Sequence, residues 1–105
     1  MTATAFLTVS PDTRGSMAPA VATAIEALDA FDVEYETTPV GTIIEADDAA
    51  EVFAAARAAH EAVEGDRVGT FLKIDDKRTV DEPAAAKVRS VEEQLGRPAT
   101  SRRGE

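Results

Sequence analysis

A chain of 105 residues with a formal net charge of -9 and no cysteine has the length of one compact domain. The missing cysteines exclude disulfides, thiolate metal sites, iron–sulfur clusters and a cysteine nucleophile. The acid excess argues against a protein that tracks nucleic-acid phosphates or an anionic membrane surface. A domain this small buries a modest core and often completes itself by oligomerising. No apolar run approaches the roughly 18 residues of a membrane span. The opening MTATAFLTVSPD lacks the basic and long apolar regions of a signal peptide, so a cytoplasmic location is expected. Three lysines (Lys73, Lys77 and Lys87) stand against twenty acids. With the many alanines, this resembles the surface of a halophilic protein, a property that bears on solubility more than on fold.

TATAFLTVS alternates, with Ala3, Ala5, Leu7 and Val9 on one face and Thr4, Phe6, Thr8 and Ser10 on the other, which predicts a strand. PDTRGS is a loop of turn residues. SMAPAVATAIEALDAFD follows, with Val21, Ile25, Leu28 and Phe31 at helical spacing, Ser16 as N-cap and Pro19 in the first turn. VEYETTPV alternates as a second strand, ending at Pro39, which cannot donate to a ladder. Gly41 supplies a turn or bulge, and TIIEA resumes as a third strand. Asp47 or Asp48 caps the next helix, and Asp48 with Glu51 has capping-box spacing. Its predicted apolar stripe is Val52, Phe53, Ala56, Ala59, His60 and Val63, with Gly65 as the stop. RVGTFLKID is the fourth strand, with Val68, Thr70, Leu72 and Ile74 on one face, and DDKRTVDE is a polar loop. Pro83 opens a third helix whose Val88, Val91 and Leu95 are expected to point inward.

The order is βαββαβ plus a C-terminal helix, the ferredoxin-like pattern. The expected fold is an α+β sandwich with a four-stranded antiparallel sheet, a single domain over residues 1–96 and a disordered tail over 97–105. Two helices cover one sheet face. The other face needs a partner subunit, the third helix, or a ligand-binding role, so a dimer or larger assembly is expected.

Most candidate chemistry reduces to ordinary structure. Arg14, Gly15 and Ser16 precede a helix N-terminus, where an anion is favoured, but a capping turn with an exposed arginine is the simpler account. His60 is the single histidine, without the converging ligands that a metal site needs. Asp75 and Asp76 are adjacent on a strand and point to opposite faces, so they make no acid/base dyad. No nucleophile–base arrangement or phosphate loop is present, and neither an enzyme nor a cofactor is expected. What remains is YETTPVGTIIEADD. Its hydroxyls and carboxylate suit either a hairpin with its polar groups in water or the wall of a binding site. In the second case Tyr35, Thr37, Thr42 and Ile44 line one face, and Glu45 accepts hydrogen bonds from an amino-heteroaromatic ring.

Within that stretch, TTPVGTIIEA resembles the TPMGTxIEG-type signature of the YkoF-like thiamine-binding proteins. LTVSP resembles the first strand of that family, AAHEAV lies in the helix after the signature, LKIDDKR resembles its KIDDR strand end, and KVRSVEEQL resembles its C-terminal helix. The resemblance covers about residues 5 to 95. It departs at Val40, where methionine is usual, at Ala46, where glycine is usual, and at Lys77, inserted before Arg78. It implies a ferredoxin-like fold, association with further copies of itself as dimers or tetramers through the sheets, and binding of thiamine or its hydroxymethylpyrimidine part without catalysis. The signature falls on Thr38, Pro39, Gly41, Thr42 and Glu45, and the second motif on Asp75, Asp76 and Arg78. The expected ligand-binding set is Thr8, Ser10, Tyr35, Thr38, Gly41, Thr42, Ile44, Glu45 and Phe71, with no metal. The other reading is a non-catalytic oligomerising module without a small ligand.

Overall fold

The structure, a computed structural model, describes residues 1–102. Residues 103–105, the end of the expected tail, lie outside the described residues. The elements are β1 (Thr2–Pro11), α1 (Ala18–Leu28), β2 (Glu34–Thr38), β3 (Gly41–Ala46), α2 (Ala49–Ala62), β4 (Val68–Lys77) and α3 (Ala84–Leu95). The strands form one antiparallel sheet in the order β2-β3-β1-β4. This is the ferredoxin-like α+β fold that the element order predicts.

β1 sets the two faces of the sheet. Its Ala3, Ala5, Leu7 and Val9 are buried beneath the helices together with Ile44 and Ala46 of β3. α1 and α2 add Ala24, Leu28, Val52, Ala55, Ala56 and Ala59 to this core. The alanines keep the helices close to the sheet and to each other, since small side chains at the contact shorten the interaxial distance. Leu28, Ile44 and Val52 are the largest fully buried side chains; each contributes about 1.5–3 kcal/mol by leaving water.

Five local expectations change. α1 starts at Ala18 with Met17 in the cap position and no side-chain cap. Ser16 instead accepts the Ala18 N–H at 3.1 Å as a local turn, two residues away. Asp48 does cap α2, taking the Glu51 N–H at 2.9 Å. The box is not reciprocal, because the Glu51 carboxylate reaches across to the Asp32 N–H at 3.0 Å and ties the α1–β2 turn to α2. Phe53 and His60 lie outside the buried stripe, which runs through Val52, Ala55, Ala56, Ala59 and Val63. Each follows a buried residue and so sits about 100° further round the helix. β4 continues through Asp76 and Lys77, because Ala3 and Thr2 still offer it ladder partners.

The fifth change concerns α3. Val88, Val91 and Leu95 are 52%, 43% and 46% exposed, not turned inward. α3 stands off the sheet and no residue of it is buried. The Cα radius of gyration is 15.5 Å, with extents of 47 × 41 × 18 Å, against about 13 Å for a compact chain of this length. α3 therefore leaves most of the second sheet face uncovered.

On that open face the Phe6 ring lies over Gly41. A Cβ at position 41 would come within 2.2 Å of the ring, far inside van der Waals contact. Phe6 also meets Phe71 edge to face, with ring centroids 6.4 Å apart. Gly41→Ala is expected to cost about 1–3 kcal/mol by overpacking, read as a lowered midpoint in denaturant. Adding Phe6→Ala removes the obstructing ring, so the double variant should lose less stability than the sum of the two singles.

Candidate functional site

On the helix-facing side, the β2–β3 hairpin and α1 do not close completely. Between them lies a cavity of about 170 Å³, floored by Leu7 and Val9 of β1 and roofed by Met17, Val21 and Ile25. The hairpin supplies its wall from Thr37 to Thr42. Among the described residues, no ionisable side chain lines it. Thr37 and Thr42 are cross-strand partners, so their side chains share one face. Thr42 is buried, and its hydroxyl carries no side-chain hydrogen bond among the described residues. Among the described residues no buried side-chain N or O atom lacks a hydrogen-bond partner, so the Thr42 hydroxyl is available to a ligand only where it opens to the cavity. Thr38 is different: its hydroxyl donates to the Gly41 carbonyl at 2.7 Å and accepts the Val40 N–H at 3.3 Å. It is spent on fixing the hairpin tip around Pro39 and Val40.

The predicted ligand residues divide between two faces and two ends of the sheet. Thr8, Ser10, Thr38, Gly41 and Thr42 border the cavity. Ile44 is fully buried in the core. Tyr35 shares the helix-facing side but its hydroxyl donates to the Asp29 carboxylate at 2.6 Å, strapping β2 to the end of α1. That bond, then burial and the negative charge of Asp29, raise the phenol pKa above its ordinary value. Phe71 is on the open face against Phe6. Glu45 is four residues along β3 from Gly41, about 13 Å away at strand rise. It accepts the Ala84 N–H at 2.6 Å, in the first turn of α3. Since Pro83 in the cap position gives no side-chain cap, Glu45 supplies the missing acceptor and a negative charge at the positive end of that helix.

The second motif is bound up locally. Asp76 pairs with Arg78 at 2.9 Å and Lys77 with Glu82 at 2.6 Å. The hydrogen bond from Lys77 holds the Glu82 carboxyl below its ordinary value, and the same contact raises the Lys77 ammonium. His60 meets the Thr70 hydroxyl at the outer edge. Among the described residues, no group of three or more His, Cys, Asp or Glu side chains is placed to hold a metal ion. No helix of the described residues is long and apolar enough to cross a membrane. Reading the sequence alone missed Met17, Val21 and Ile25 as cavity residues. Their helical spacing marks them as an inward face, and spacing does not show where that face leaves a gap.

The cavity and the fold together define a ferredoxin-like domain with a small, uncharged pocket behind its β2–β3 hairpin. The family model described as thiamine-binding protein matches residues 5–92, and the chain belongs to that family. A UPF0045 protein of Methanothermobacter thermautotrophicus is 46% identical over 97 residues, covering 88% of this chain and 98% of the relative. A hypothetical protein of Methanocaldococcus jannascii has the same fold with a TM-score of 0.78 at 30% identity, covering 88% of this chain and 97% of the other. A Thermotoga maritima protein assigned provisionally to thiamine biosynthesis or salvage superposes with a TM-score of 0.72, covering 87% and 99% of the two chains. At 20% identity that last likeness shows the fold alone.

Two outcomes test these assignments. Glu45→Ala is expected to cost about 1 kcal/mol and to speed amide exchange in the first turn of α3. For the Lys77–Glu82 pair, the lowered Glu82 pKa means that its contribution is present above the ordinary glutamate pKa and is lost as pH falls through the folded value. The raised Lys77 pKa keeps its share below the ordinary lysine pKa, to be lost at higher pH. In an NMR titration, Lys77→Met should move the Glu82 midpoint upward.

Proposed function

We propose that the chain binds thiamine non-covalently through its aminopyrimidine ring, as a cytoplasmic carrier, buffer or sensor and not as an enzyme. The observation that carries the reading is the cavity behind the family signature. It has apolar walls from Leu7, Val21 and Ile25, with the Thr42 and Thr37 side chains on one face of the hairpin as polar groups. An aminopyrimidine is a flat ring with hydrogen-bonding groups on its edge, and such a slot with few placed polar groups suits it. At about 170 Å³ the space is below the roughly 300 Å³ where pockets for drug-sized ligands begin. It therefore suits one ring and leaves the thiazolium at or beyond the mouth. The phosphates of a phosphorylated form hang from the thiazolium and would meet the exterior of a chain of net charge -9, which favours the unphosphorylated forms.

Self-association is part of the same reading. The apolar stripe of α3 and the open sheet face with Phe6, Ile43 and Phe71 are left to water by a single chain. An exposed apolar surface of this kind is the mark of an interface.

Calorimetric titration with hydroxymethylpyrimidine, thiamine and thiamine diphosphate tests the ligand. The pyrimidine and thiamine are expected to bind with similar affinity and the diphosphate more weakly. Thr42→Val keeps the shape and removes the hydroxyl, and should weaken both good ligands by about 3–10-fold, the worth of one hydrogen bond, without lowering thermal stability. Absence of heat and of thermal shift with all three would remove the thiamine reading.

A further inference from the structure

All the lysines of this acidic chain line one groove. Twenty acids face only three lysines in the sequence. Lys73 and Lys77 belong to β4 and Lys87 to α3, yet all three border the groove between the open sheet face and the start of α3. Lys73 and Lys77 are four residues apart on one strand, so they point to the same side and stand about 13 Å apart. Lys87 comes from the opposite wall. The floor between these walls is apolar, with Phe6 of β1 and its cross-strand partner Ile43 of β3. Val88 of α3 adds to it. The groove holds about 470 Å³, within the roughly 300–1,000 Å³ of small-molecule sites.

The positive charge of the groove is only partly spent. Lys77 donates to Glu82 at 2.6 Å. Lys73 and Lys87 are exposed, and neither belongs to an ion pair among the described residues. Asp75 and Glu82 are the carboxylates in the lining, so three ammoniums outnumber two acids. The rest of the chain is strongly negative, and a concave, partly apolar wall concentrates a local field of the other sign. The groove is separate from the cavity behind the hairpin, which opens on the helix-facing side of the sheet.

We infer that this groove binds a phosphate monoester with a flat apolar body, at a site distinct from the cavity. Lys73 and Lys87 supply the charge for the phosphate. Two unpaired ammoniums on long, flexible stems can converge on one doubly charged head. The body of the ligand lies over Phe6 and Ile43 and removes from water apolar surface that the single chain leaves open. Asp75 and Glu82 restrict the class further, because their carboxylates repel a more highly charged di- or triphosphate. The inference depends neither on thiamine binding nor on self-association.

Phenyl phosphate titrated into the full, isotope-labelled chain and followed by amide NMR shifts tests this, with inorganic phosphate and phenol as its two halves. Amides around Lys73 on β4 and in the first turns of α3 are expected to move. Phenyl phosphate should bind about 10-fold or more tightly than either half. Lys73→Gln and Lys87→Gln should each weaken it about 3–5-fold, and Lys73→Arg should keep it. Both sites are exposed, and circular dichroism melts check that each variant keeps the fold. Lys73→Gln should leave the hydroxymethylpyrimidine titration unchanged, which separates this site from the thiamine reading. The inference is overturned if no amide moves up to about 10 mM phenyl phosphate, or if the shifts fall on the hairpin cavity instead. It is equally overturned if both glutamine variants bind like the parent, or if inorganic phosphate binds as well as phenyl phosphate. A second copy seated in the groove would leave phenyl phosphate no site and give the first of these results.

Discussion

The contact between the Phe6 ring and the bare Cα of Gly41 fixes the relation between the two faces of this domain. The ring belongs to the central strand and the glycine to the tip of the β2–β3 hairpin, so the contact pins the hairpin to β1 from the open side. On the reverse side the same hairpin forms the wall of the cavity, with Thr37 and Thr42 facing α1. A shift in the ring would move the hairpin, and with it the cavity wall and its cross-strand partner Ile43 on the open face. One close approach thus couples two surfaces that share no side chain.

Helix ends show the same economy. α2 has its own cap in Asp48, whereas α3 borrows its acceptor from Glu45, on a strand 39 positions earlier in the chain. Glu51, freed from a reciprocal cap, holds the turn before β2 instead. Carboxylates in this acidic chain are therefore not all solvated surface charge. Several satisfy backbone N–H groups that would otherwise lack a partner. The signature glutamate belongs to this group, and its position at the far end of β3 from the cavity follows from strand rise alone.

Much of the fold was legible because each strand and each packed helix has a single apolar face. β1 alternates cleanly and its inward set is Ala3, Ala5, Leu7 and Val9, as the pattern predicts. The signal failed where an apolar face exists but little of the chain covers it. Val88, Val91 and Leu95 share one side of α3, and period alone cannot show that among the described residues they stay about half exposed. β4 extends beyond the predicted strand because ladder partners on β1, not the polar residues of β4 itself, determine its length. In the candidate site, turn chemistry and the family resemblance located the hairpin. Side-chain period then placed Tyr35, Thr42 and Ile44 on one face and Glu45 on the other, but their separate roles depend on distant groups: Asp29 for Tyr35 and Ala84 for Glu45.

The uncharged lining of the cavity has a consequence for how this chain can change. Its net charge of -9 resides on surfaces that do not contact the cavity, and none of its lining residues titrates. Acids can be added or removed over most of the exterior as solvent salt varies, while the interior slot keeps its shape and its neutral character. The exterior that answers to the solvent and the uncharged interior slot are thus separately adjustable, joined through the hairpin that Phe6 holds in place.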